Sequence, residues 1–164
     1  MPRSLPCQLG LNSGCETMAM NEKLRPEVTL QGLNERGTGY LPGLLGIEML
    51  VLNPGELHSR LKIARHHIAP NGYLHAASVI ALADTTCGYG SIAHLPSGAD
   101  SFTTIELKSN FLGTVREGVI LCVARGEHLG RNTHVWDALV SDEASGRKIA
   151  LFRCTQMILW PKAG

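Results

Sequence analysis

The sequence predicts an α+β fold in which a curved antiparallel β-sheet wraps one long central helix. Residues 73–93 are dominated by Ala, Leu, Val and Ile, contain no proline and hold a single charge, Asp84. At 1.5 Å per residue they make a helix of roughly 30 Å. On either side of it, apolar residues recur at alternate positions, the period of a half-buried strand. The order is two strands, the helix, then four strands in a meander, whose short connections predict antiparallel neighbours. A helix apolar on every side must be enclosed by protein. One helix cannot cover both faces of six strands, so the sheet is expected to curl around it.

The elements follow in chain order. Residues 1–24 read as an irregular polar arm, and residues 26–36 as a short helix ended by Gly37-Thr38-Gly39. This divides the chain into an N-terminal arm, 1–39, and one domain, 40–160. Residues 40–46 form an apolar turn. Residues 47–53 and 56–66 make a hairpin about Pro54-Gly55. After the break at 69–72 comes the long helix, and after the loop 96–100 come strands over 103–111, 119–127, 132–142 and 149–159. The uncovered sheet face, expected to carry Trp136, would suit a partner subunit.

Composition narrows the function. The 164 residues suffice for a core without disulfides or metal, and the formal net charge is +1. No basic stripe or acidic tail calls for nucleic acid or a membrane surface. Cys7, Cys15, Cys87, Cys122 and Cys154 are odd in number and make no C-x-x-C, which suits reduced thiols in a cytoplasm. Residues 1–20 lack the apolar core of a secretory signal, and Met18 and Met20 offer later starts. Asp84 makes the long helix a poor bilayer span. No cofactor is called for. His66 and His67, the one pair that invites a metal, would point to opposite faces of a strand.

Asp84 is the residue that asks for chemistry. Its helical neighbours Ile80, Ala81, Cys87 and Gly88 cannot pair with a carboxylate. Unpaired burial costs several kcal/mol or raises the pKa, and such groups cluster at functional sites.

The stretch Gly72-Tyr73-Leu74-His75-Ala76-Ala77, followed by Leu82-Ala83-Asp84, carries a resemblance. So do residues 104–111, Gly118, Gly130-Arg131 and Val140-Ser141-Asp142-Glu143, in that order. On these the chain, over roughly 40–159, resembles the hot-dog-fold acyl-CoA thioesterases, in particular the phenylacetate-pathway and 4-hydroxybenzoyl-CoA thioesterase group. The resemblance implies hydrolysis of an acyl-CoA to a free acid and CoA. It implies that Asp84 acts as general base or as nucleophile, and that the N–H of Ala76 polarises the carbonyl from a helix start rich in unpaired donors. It further implies that His75 orients the site, that Thr104 positions water, and that Asn71, Gly72, Gly130 and Arg131 contact substrate. The site would lie at the subunit interface of a homodimer or homotetramer. The chain departs from the pattern in the two alanines after His75, in Ala69 where relatives often carry Asn or Gln, and in Gly113-Thr114 where they often carry Arg-Pro. Two other readings stay open: a hot-dog hydratase or dehydratase, and a non-catalytic acyl-CoA-binding module.

Overall fold

A computed structural model describes residues 23–162; the N-terminal arm up to residue 22, with Cys7, Cys15, Met18 and Met20, lies outside them. Its elements are α1 (Leu30–Arg36), α2 (Leu41–Leu44), β1 (Ile47–Asn53), β2 (Glu56–Lys62), α3 (Ala76–Ala93), β3 (Ser101–Phe111), β4 (Val119–Leu129), β5 (Thr133–Asp142) and β6 (Lys148–Leu159). The six strands form one antiparallel sheet in the order β1-β2-β4-β5-β6-β3, with α3 against one face. This is the α+β architecture that the sequence predicts, and the arrangement that the resemblance implies.

Thr29 caps α1 by accepting the Gly32 N–H at 3.0 Å. The Asn34 amide then clips α1 to β1, accepting from the Met49 N–H at 2.8 Å and donating to the Met49 carbonyl at 3.0 Å. Leu33 is thereby carried into the same core as the strands, so the packed unit takes in residues ahead of Tyr40.

Three local expectations are corrected. The last four strands are not a simple meander: β4, β5 and β6 are, but β3 pairs with β6 at the far edge. Residues 112–118 cross the sheet end, bonded to Ile149, Arg147 and Ile63 on the way. Three strand spacings of about 4.8 Å lie well within the roughly 23 Å reach of seven extended residues. Second, the hairpin's second strand stops at Lys62, and His66 and His67 sit in a 3-10 turn. The chain must turn there to deliver the helix start: the His75 N–H and the Ser78 hydroxyl both donate to the His67 carbonyl, at 2.9 and 3.0 Å.

Third, Trp136 is fully buried against α3 and takes no part in the outer face. Strand parity sets His134, Trp136, Ala138 and Val140 on the helix side, and Gly90 makes room, since a Cβ there would stand 2.7 Å from the indole. The outer face instead carries Arg125, Glu127, Leu139, Leu151 and the ion pair of Arg153 with Asp137. The sheet wraps α3 as expected, all six strands packing against it. Val79, Leu82, Ala83 and Cys87 are buried, whereas Ala76 and Ala77 are exposed and Ile80, Ala81 and Asp84 half-buried.

The core is not wholly apolar. The Ser91 hydroxyl accepts the Trp136 Nε1–H at 2.8 Å, lies 3.1 Å from His134 Nδ1 and bonds Gln156 Oε1. Burial, with the nearby charges of His94 and His128, depresses the His134 pKa to about 4, so the ring is neutral at pH 7. Cys87, Cys122 and Cys154 are free, buried thiols, and burial pushes the Cys122 pKa up to about 12.

Candidate active site

Helix α3 starts at His75, whose backbone is extended at φ −68° and ψ 134°. Its imidazole Nδ1 accepts the Ala77 N–H at 2.9 Å, which leaves the neutral ring's proton on Nε2. The Ser78 N–H donates to the His75 carbonyl at 3.0 Å. Ala76 is the first helical residue and exposed, and its N–H has no acceptor among the described residues. Such an amide, at the positive end of a helix of 18 residues, is a donor waiting for an oxygen.

The loop before the helix is folded for this. Asn71 Oδ1 accepts the Tyr73 N–H at 3.2 Å, the Ala69 N–H donates to the Tyr73 carbonyl at 2.8 Å, and Gly72 takes φ +81°, which glycine alone adopts freely. Asn71, Tyr73, Leu74, Ala76 and Val79 line one side of a groove of about 510 Å³, and Phe111, Leu112, Gly113 and Thr114 line the other. At its rim the Arg116 guanidinium lies 5.2 Å from the Tyr73 ring centroid.

Asp84 stands eight residues further along α3, about 12 Å by the helical rise. Thr104 Oγ1 donates to its Oδ1 at 3.2 Å. A β-bulge after Thr104 breaks the strand's period, so that Thr104 and Leu107, three apart, both pair with inward-facing residues of β6. Burial raises the Asp84 pKa above the ordinary carboxylate value, and the Thr104 hydrogen bond opposes that rise. A half-buried carboxylate with a raised pKa and one hydroxyl partner is equipped to take a proton from water or to attack a carbonyl.

Gly130 and Arg131 lie elsewhere, in the β4–β5 turn at the other end of the sheet. The Gly130 N–H donates to the Thr133 carbonyl at 3.0 Å, and a Cβ at that position would collide with His128. The Arg131 guanidinium sits 4.3 Å from the Trp160 ring centroid, beside the small cluster of Leu95, Ala99 and Ile158. Within one chain, then, Asn71, Gly72, His75 and Ala76 come together at the helix start. Asp84 and Thr104 meet mid-helix, and Gly130 and Arg131 join neither group. Tyr73, Phe111 and Leu112 are groove residues, and Arg116 a neighbour of Tyr73, that the sequence did not single out, since no spacing links the helix approach to the linker 112–118.

The chain is similar to known proteins of one superfamily. The family model described as "Thioesterase superfamily" matches residues 71–149. The putative esterase PA1618 of Pseudomonas aeruginosa is 29% identical over 135 residues, 82% of this chain and 92% of that protein. The 1,4-dihydroxy-2-naphthoyl-CoA hydrolase of Escherichia coli is 29% identical over 135 residues, 81% of this chain and 96% of that protein. A crystal structure of a mutant of thioesterase PA1618 superposes with a TM-score of 0.78 at 28% identity, covering 83% of this chain and 97% of that one.

Proposed function

We propose that this chain, a thioester hydrolase of the hot-dog fold whose residues 71–149 match the thioesterase superfamily model, hydrolyses an acyl-CoA, with the carboxylate of one copy facing the helix start of another. The observation that carries this reading is the pairing of half-buried Asp84 with Thr104, apart from an exposed Ala76 N–H that lacks an acceptor among the described residues. A carbonyl polarised at Ala76 cannot be reached by an Asp84 about 12 Å along the same rod. A second copy removes the difficulty. β3 is an edge strand with Ile105, Leu107 and Phe111 exposed, and it runs from the Asp84 partner Thr104 to Phe111 in the groove wall. Two β3 edges paired antiparallel would bring the groove of one copy to the Asp84 of the other.

In that arrangement the Ala76 N–H donates to the thioester oxygen and His75 holds the helix start. Asp84 takes a proton from water as the water oxygen attacks the carbonyl carbon, with Thr104 steadying the carboxylate. The tetrahedral oxyanion, held by the Ala76 amide, collapses; the C–S bond breaks and the proton passes from Asp84 to the departing thiolate. Direct attack by Asp84, through an anhydride that water then cleaves, uses the same groups. Asn71 and Gly72 shape the groove that receives the substrate, and Gly130 and Arg131 would meet its carrier arm only from a neighbouring copy. The nine-residue step from His75 to Asp84 supports a kinship with the phenylacetate-pathway and 4-hydroxybenzoyl-CoA thioesterase group. No helix among the described residues is long and apolar enough to cross a membrane. The free thiols Cys87, Cys122 and Cys154 support our assignment of the enzyme to the cytoplasm.

Thiol release from a panel of acyl-CoAs tests the reading. Asp84→Asn should lower kcat by about 10³-fold. Hydration of an enoyl-CoA without thiol release, or tight binding of acyl-CoA without turnover, would overturn it.

A further inference from the structure

We propose that the cavity between α1, α2 and the second half of α3 binds a carboxylate, with the Arg36 guanidinium as its counter-charge and the Tyr89 and Tyr40 phenols as further donors. This cavity is separate from the groove at the helix start and holds about 570 Å³. Glu35, Arg36, Thr38, Tyr40 and Tyr89 line it. Arg36 makes no ion pair among the described residues, and the hydroxyls of Thr38, Tyr40 and Tyr89 find no acceptor among them. A guanidinium and three hydroxyls thus border one space with nothing in the described chain to receive their protons. Such a donor set is complementary to an anion with two acceptor oxygens.

The corner that carries these groups is tightly closed. The Tyr40 and Gly43 N–H groups both donate to the Gly37 carbonyl, at 3.1 and 3.0 Å. A Cβ at Gly43 would collide with that carbonyl, and one at Gly37 would stand 3.4 Å from the Tyr89 hydroxyl. The two glycines therefore let α1 and α2 fold onto Tyr89, which puts Arg36 and Tyr40 into one cavity with its phenol. Burial raises the Tyr89 pKa and the nearby charge of Arg36 opposes the rise, so the phenol is a neutral donor at pH 7. The one anion of the lining, Glu35, is tied to the Gln31 amide along α1 at 2.7 Å. Tyr89 stands five residues past Asp84 on α3, about 7.5 Å by the helical rise. The carboxylate can come from two sources: the far end of an acyl group whose carbonyl lies at Asp84, or a separate small acid. The first source rests on the thioesterase reading above; the second does not.

The test uses adipoyl-CoA and hexanoyl-CoA, whose acyl chains have one length and differ in the terminal carboxylate, together with free adipate. Arg36 is exposed, and Arg36→Ala should melt with the wild type. If the acyl group supplies the carboxylate, the ratio of kcat/KM for adipoyl-CoA to that for hexanoyl-CoA should fall about tenfold in this variant. If the ratio holds while adipate, followed by calorimetry, binds the wild type and loses about tenfold in affinity in Arg36→Ala, a separate acid is the ligand. In either case the effect should shrink in high salt. Arg36→Lys should recover part of it, and Tyr89→Phe, which keeps the ring and removes the donor, should show a smaller loss. Glu35→Gln, which removes the one repelling charge, should change the same quantity in the opposite direction, a gain that a merely structural Arg36 does not produce. A substrate ratio that ignores Arg36→Ala, together with adipate that fails to bind or binds the variant equally well, would overturn the site. Protein that binds adipate through Arg36 but releases no thiol from any acyl-CoA would instead sink the thioesterase reading and leave the carboxylate site standing.

Discussion

At the scale of single residues, Asp84 decides most. Its folded-state pKa is raised by burial, so the fold prefers the protonated carboxyl. That preference is fully present below the unfolded pKa of about 3.9 and is lost as pH rises through the higher folded value. At neutral pH the ionised group therefore costs stability. Asp84→Asn should melt about 2 °C above the wild type at pH 7, and the gain should vanish near pH 3. In parallel, kcat/KM of the wild type should rise with pH about a midpoint above the ordinary carboxylate range. Thr104→Val, which removes the bond opposing the shift, should move that midpoint higher. Calorimetric melting and a pH-rate profile measure both. The suspicion on Asp84 was legible because a charge stood alone in an apolar helix. Thr104 entered only through the resemblance, as a residue positioning water; its bond to the carboxylate needs the fold, which brings a β3 threonine beneath α3.

At the scale of elements, the start of α3 offers an unusual handle on a backbone donor. Ala76 is the first helical residue, where proline is tolerated because its missing N–H has no helical partner. His75, at φ −68° and ψ 134°, already has the extended backbone that proline requires of its predecessor. Ala76→Pro should thus fold with unchanged far-ultraviolet circular dichroism yet lose about 10²- to 10³-fold in kcat, because it deletes the proposed oxyanion donor. The helix and the strand count were readable from period and punctuation. What period cannot convey is which edges meet. The crossing of residues 112–118, the bulge after Thr104 and the inward turn of Trp136 are each settled by contacts between segments far apart in sequence. The stop of β2 at Lys62 is likewise set by where the helix must begin, not by the apolar alternation that continues past it.

For the whole molecule, the separation of Asp84 from Ala76 makes cooperation between copies testable without a structure of the complex. Asp84→Asn and Ala76→Pro subunits, each inactive alone, would combine one good carboxylate with one good helix start. Random re-association after mixing should restore about a quarter of wild-type activity, since half the dimers are mixed and each holds one intact site of two. No recovery would mean that each chain carries a self-sufficient site. A site shared in this way needs both halves delivered at fixed heights, and greasy contacts are poor at fixing height because they have no direction. The Ser91 hydroxyl supplies the direction: it ties α3 to β5 through Trp136 and His134 and to β6 through Gln156. Seven residues, two helical turns, separate it from Asp84. One buried hydroxyl thereby acts as the axial stop of the rod, and in the proposed shared site a serine remote from the substrate would set the height at which the carboxylate meets its neighbour.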